Sequence, residues 1–149
     1  MRRPAAALLA ACVLIPGCAT TALPPVMDKG FAFQEDERRL WTRSGEIQGM
    51  LGKSGWLLRD ESIEGYLSGV AAKLAPPEAG GRIPFRVLVI RDHRLNAFAF
   101  ANGAVYIHTG ILAEMENEAQ LAVLLAHEMS HATHRHAVRS FRDMKNKSA

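Results

Sequence analysis

At 149 residues the chain has the length of one domain, and a composition 48% hydrophobic and 22% charged is ordinarily globular, which excludes disorder as the default. The formal charge of +3 falls to +1 once Arg2 and Arg3 are set aside, so the basic balance is no argument for a nucleic-acid partner. The two cysteines, Cys12 and Cys18, both precede the folded part, which therefore contains no disulfide.

The amino-terminal MRRPAAALLAACVLIPGC combines two arginines, an uncharged apolar run from Ala5 to Ile15, and Pro-Gly-Cys. This is the pattern of a secretory signal, with a run too short to span a bilayer comfortably. Ile15 to Cys18 resembles a bacterial lipobox. On that reading residues 1–18 are a lipoprotein-type signal peptide, Cys18 is lipidated, and the anchor holds the chain at the periplasmic face of the outer membrane. Ala19 is not the aspartate associated with inner-membrane retention. A conventional cut after Ala22 is the competing reading and gives a soluble periplasmic protein. Residues 19–34 contain Pro24-Pro25 and no periodicity, and read as a tether.

Residues 35–149 form the folded part. From Glu35 to about Lys53, Leu40, Ile47 and Leu51 recur at helical spacing, with acids early and lysine late as the helix dipole prefers. A second helix, Asp60 to Leu74, carries Ile63, Leu67, Val70, Ala71 and Leu74 on one stripe and stops at Pro76-Pro77. Phe85 to Ile90 is a β-branched, apolar strand. Asn102-Gly103 between two strand-like runs signals a tight hairpin whose two turn residues tolerate positive φ. Asn117 caps a last helix, with Gln120 at the capping-box position, and Leu121 to Ala126 is apolar on every side, which predicts a helix running through the core. The order helix, helix, strand, hairpin, helix gives an α+β domain.

That helix continues into His127-Glu128-Met129-Ser130-His131. Residues four apart differ by about 40° around a helix axis, so His127 and His131 can aim both rings at one point. Glu128 lies roughly 100° round, within reach of a water on a metal held by the two histidines. This is the H-E-x-x-H arrangement: two imidazoles for Zn²⁺, one ion per chain, and a carboxylate as general base in peptide hydrolysis. The bare motif is a weak signal; a capped apolar helix after a hairpin sharpens it. His134 sits near the same face but a turn further on, and reads as a core or surface histidine, with hydrogen bonding behind a ligand as its functional alternative. His136 points to the opposite face and cannot join the pair unless the helix has ended. It reads as a packing or surface residue, or as a structural polar one. His93 and His108 are lone residues at strand ends with no metal spacing.

The stretches EDERRLW, VIRDHRLNAFAFANGAVYIHTGIL and NEAQLAVLLAHEMSHATHRH, the last ending in Arg135-His136, together resemble the zinc metallopeptidase family of HtpX-type, Oma-type and CAAX-prenyl endopeptidases, family forty-eight of the metallo class, in its small periplasmic lipoprotein branch. The resemblance implies a zincin-like domain, with a small sheet and hairpin packed on a buried HExxH helix, of which residues 35–149 are the amino-terminal part. It implies His127 and His131 as zinc ligands, Glu128 as catalyst, and misfolded or unassembled envelope proteins as substrates. It also implies an edge strand at Asn96, Ala97, Phe98 and Ala99 that holds substrate backbone by β-addition. In such relatives the third ligand is a glutamate on a later helix. Here the sole acid after His131 is Asp143, about 24 Å along a continuous helix from His127. Three explanations stay open: the chain is a fragment; Glu114, Glu116 or Glu118 folds back as substitute; or the domain has lost hydrolysis. The last case makes it a non-catalytic lipoprotein that binds partner or unfolded chains through the strand edge.

Overall fold

The computed structural model describes residues 23–79 and 81–148. The signal peptide, the lipidation of Cys18 and both cleavage readings fall outside the described residues. In chain order the elements are α1 (Glu35–Lys53), β1 (Leu57–Leu58), α2 (Glu61–Leu74), β2 (Arg86–Ile90), β3 (Ala97–Ala99), β4 (Ala104–His108), α3 (Thr109–Ala113), α4 (Glu118–Thr133) and α5 (His136–Lys147). Among the described residues no helix is long and apolar enough to cross a membrane.

The sheet has the order β1-β2-β4-β3. β2 and β4 pair in parallel, and the two outer pairings are antiparallel, so β3 lies at one edge. Val87, Val89, Val105 and Ile107 project from one face into a core shared with Leu67, Val70 and Ala71 of α2 and Leu121, Leu125 and Met129 of α4. Their alternation along β2 and β4 follows from the two-residue period of a strand. On the other face Tyr106 is 1% exposed and stacks on Phe98 at 5.4 Å. The α+β expectation therefore holds, with a small mixed sheet and five described helices.

Helix starts follow the expected chemistry. Asp60 accepts from the backbone N–H groups of Ser62 and Ile63, and Asn117 from that of Gln120, which satisfies donors a helix start leaves unpaired. The hairpin differs from the two-residue turn expected. Gly103 N–H donates to the Phe100 carbonyl and Phe100 N–H to that of Ala104, so the loop is longer and Gly103 alone, at φ +84°, has positive φ. This matches a turn followed by a left-handed residue, in which only one position needs glycine.

Two further expectations change. α4 is not buried all round: Leu121, Leu125, Glu128, Met129 and Ala132 face inward, whereas Val123 is 71% exposed. The helix is also not continuous to Asp143. It ends at Thr133, His134 N–H bonds back to Ser130, Arg135 N–H to Ala132, and Arg135 takes the left-handed conformation at φ 59°. A non-glycine residue there is uncommon, because Cβ crowds the backbone at a cost of roughly 1–2 kcal/mol. An ion pair explains why Arg135 persists in it. Its guanidinium binds both carboxylate oxygens of Glu37 at 3.0 and 2.5 Å, with both side chains almost wholly buried.

The described part of the segment expected as a tether, residues 23–34, is docked on the domain instead. Val26 is 1% exposed and its N–H donates to the Thr133 carbonyl at the end of α4. Arg135 and Arg139 donate to the carbonyls of Pro24 and Leu23, and Phe31 lies under both Arg82 and Arg135. Lack of periodicity marked a segment without helix or strand, but not one without partners: arginine donors satisfy its backbone carbonyls.

Candidate metal and catalytic centre

α4 delivers His127 and His131 to the same side, one turn apart. Their Nε2 atoms stand 3.3 Å from each other, with ring centroids 4.9 Å apart and planes perpendicular. Two imidazole nitrogens bound about 2.0–2.1 Å from a tetrahedral zinc ion stand about 3.3–3.4 Å apart. The pair thus already has the separation that a shared ion requires. His127 is exposed and His131 half-buried, so the point where the rings converge is open to solvent.

Glu128 is 8% exposed, on the buried side of the same turn. Among the described residues no hydrogen bond or ion pair occupies its carboxylate. A carboxylate that bonds no other side chain is free to take a proton from a water beside the two imidazoles.

The break after α4 rearranges the remaining histidines. His134 caps the helix end, its Nδ1 3.0 Å from the Ser130 carbonyl and 3.3 Å from Thr133 Oγ1, and makes no contact with the pair. His136, placed on the opposite face for an unbroken helix, instead comes back as the first residue of α5. Its Nδ1 is 2.7 Å from His131 Nδ1. Burial, reinforced by the positive potential of His131 and Arg139, holds its imidazole below the usual range. Sequence reasoning missed this contact because it carried the helix straight through Arg135; the Arg135-His136 pair was the available signal.

His93 is fully exposed, and His108 is buried edge-on to Phe98 at the end of β4. The fold-back acids do not approach the pair. Glu118 accepts from the Tyr66 hydroxyl at 2.8 Å at the start of α4, and the Glu116 backbone N–H is bound by Gln120. Among the described residues no three His, Cys, Asp or Glu side chains come together as a metal-binding group.

β3 passes beside α4. Asn96 accepts from His108 N–H and Phe100 donates to Ala104, so in an antiparallel ladder the N–H and C=O groups of Ala97 and Ala99 turn away from β4, along the outer edge. Phe98 lies in the opposite phase, its ring packed on Tyr106. Between this edge and the histidines lies a recess of about 160 Å³, lined by Ala99, Phe100, Ala101, His131, His136 and Ala137.

Sequence comparison connects this geometry to known proteins. The chain is 32% identical over 99 residues to the putative beta-barrel assembly-enhancing protease of Vibrio cholerae, a match covering 66% of this chain and 20% of that protein. It is 34% identical over 87 residues to the beta-barrel assembly-enhancing protease of Escherichia coli, covering 58% and 18%. Similarity extends to the mitochondrial metalloendopeptidase OMA1 of Schizosaccharomyces pombe, 35% identical over 72 residues, covering 48% and 21%. The chain thus spans about a fifth of the length of these curated relatives. The model of peptidase family M48 matches residues 57–148, from β1 through α5, and on that match the chain belongs to peptidase family M48.

Proposed function

We propose that the chain carries the catalytic helix of a zinc-dependent endopeptidase of the bacterial cell envelope, built on a zincin-like domain and acting on misfolded or unassembled proteins. The observation that carries the reading is the 3.3 Å convergence of His127 and His131 Nε2 beside the buried, unpartnered Glu128. Membership of a metallopeptidase family supports it.

In this assignment His127 and His131 hold the metal through Nε2. A zinc ion held there would supply Lewis acidity and lower the pKa of its water toward neutrality. Glu128 takes a proton from the attacking water and returns it to the leaving amine. The backbone groups of Ala97 and Ala99 pair with an extended substrate, and Phe98 holds the strand in place from its far side. Side chains of the substrate beside the scissile bond enter the recess next to His131. Hydrolytic zinc sites use three protein ligands, and among the described residues His127 and His131 are the two that converge. Lipid on Cys18 supplies the membrane contact, at the periplasmic face of the outer membrane.

The test is cleavage of casein by the purified chain before and after zinc is stripped with a chelator. The reading predicts that stripping abolishes cleavage and that zinc, but not magnesium, restores it. A chain that takes up no zinc when supplied, yet retains peptides through the β3 edge, is instead the non-catalytic binding lipoprotein.

A further inference from the structure

His131 is approached from both ring nitrogens, and the two distances differ in kind. Its Nε2 stands 3.3 Å from His127 Nε2, the separation of two ligands on one tetrahedral ion. Its Nδ1 stands 2.7 Å from His136 Nδ1, too close for a shared zinc and right for a hydrogen bond. A histidine that donates its Nδ1 proton keeps the lone pair on Nε2, and metal-binding histidines are commonly oriented in this way.

We propose that His136 is a positioning residue: it accepts the Nδ1–H of His131 through its own Nδ1 and so holds His131 in the tautomer whose Nε2 can bind a metal. The inference rests on the assignment of His127 and His131 as ligands. It follows from the helix break. In an unbroken helix His136 would lie about 140° round and about 7.5 Å along from His131, out of reach. The left-handed residue Arg135 turns the chain so that the first residue of α5 returns against the last turn of α4. Glu37, from the start of α1, holds Arg135 in that turn through its buried ion pair. The sequence EDERRLW at one end of the domain and Arg135-His136 at the other are therefore joined in one device, whose product is the orientation of a single imidazole.

Two measurements on the full chain test this. Zinc alone is titrated against a chromophoric chelator for the unaltered chain and for the His136→Ala, His136→Asn and His131→Ala variants. In the metal-free proteins, long-range ¹⁵N–¹H correlation of the His131 ring reads which nitrogen carries the proton. The expected result is Nδ1-protonated His131 in the unaltered chain, a mixture of tautomers in His136→Ala, and zinc affinity about 10–100-fold weaker in that variant. His136→Asn, whose amide oxygen can accept the same proton, recovers most of the affinity. If His131→Ala binds zinc as the unaltered chain does, the ligand assignment itself fails. If His131→Ala loses zinc while His136→Ala keeps full affinity, or loses affinity with the His131 tautomer unchanged, the ligand assignment stands and the positioning role is overturned. An unaltered chain with Nε2-protonated His131 overturns it without any variant.

Discussion

Replacing Arg135 by alanine removes the group that joins three parts of the domain. The loss includes a bidentate ion pair to Glu37 at 3.0 and 2.5 Å, contacts to the Pro24 and Ala32 carbonyls at 3.3 and 3.5 Å, and packing of the guanidinium over Phe31 at 5.0 Å. Both ionic side chains are almost completely buried, so Glu37 loses its directly bonded partner and keeps only the longer-range attraction of Arg142, and breaking such a pair from one side costs about 3–5 kcal/mol. With a urea slope of about 2 kcal/mol/M for a domain of this size, the unfolding midpoint falls by about 2 M. Arg135→Gly loses the same contacts but relieves the left-handed backbone, worth roughly 1–2 kcal/mol, and is therefore about 1 kcal/mol less destabilised than Arg135→Ala. Replacing both partners with apolar residues of similar volume recovers most of the loss, because no charge remains to be desolvated. Urea unfolding of the four proteins, followed by circular dichroism, reads all three differences. An Arg135→Ala midpoint within about 0.3 M of the unaltered chain, or Arg135→Gly less stable than Arg135→Ala, would refute this account of the clamp.

Gly110 packs so closely on the preceding loop that an added Cβ would lie 2.1 Å from the His93 carbonyl oxygen, a backbone atom that cannot swing aside. Gly110→Ala should destabilise by about 1–3 kcal/mol in thermal unfolding, and a neutral result would contradict so close an approach. Asn117→Ala deprives the Gln120 N–H of its cap at the start of α4 and should cost about 1 kcal/mol, measured by urea unfolding. Asp36 is held below the usual carboxylate range chiefly by its hydrogen bond from Arg142. A carboxyl with a depressed folded value contributes stability above its unfolded pKa of about 3.9 and loses it as pH falls through the folded value. The stability gap between the unaltered chain and Arg142→Ala should accordingly be larger at pH 6 than at pH 2.5.

Much of the fold is legible in the sequence because local signals and burial agree. Asp60 and Asn117 cap helices as their side chains dictate, the β-branched run ending at Ile90 is a core strand, and Gly103 sits in the one turn position that needs positive φ. The HExxH spacing places His127 and His131 together because the helix period alone does so. What sequence reasoning missed is set by long-range pairing. Asp36 and Glu37 look like acids at the positive end of a helix dipole, yet their partners are Arg142 and Arg135, about a hundred residues away. No propensity marks Arg135 as left-handed; the buried Glu37 makes it so. With the break hidden, His134 seemed better placed behind a ligand than His136, and the docked segment 23–34 looked unattached. The apolar run Leu121 to Ala126 suggested burial on all sides, but a run cannot say which face a neighbour covers, and Val123 is exposed.

The central claim is that one helix turn separates metal binding from proton transfer: His127 and His131 hold zinc and Glu128 does not. The most direct measurement is bound zinc per chain together with the rate of casein cleavage, compared between the unaltered protein and Glu128→Gln. The account predicts equal zinc in both and a rate lower by on the order of 10²–10⁴-fold in the variant. Loss of zinc from Glu128→Gln, or cleavage that survives the substitution, would contradict it.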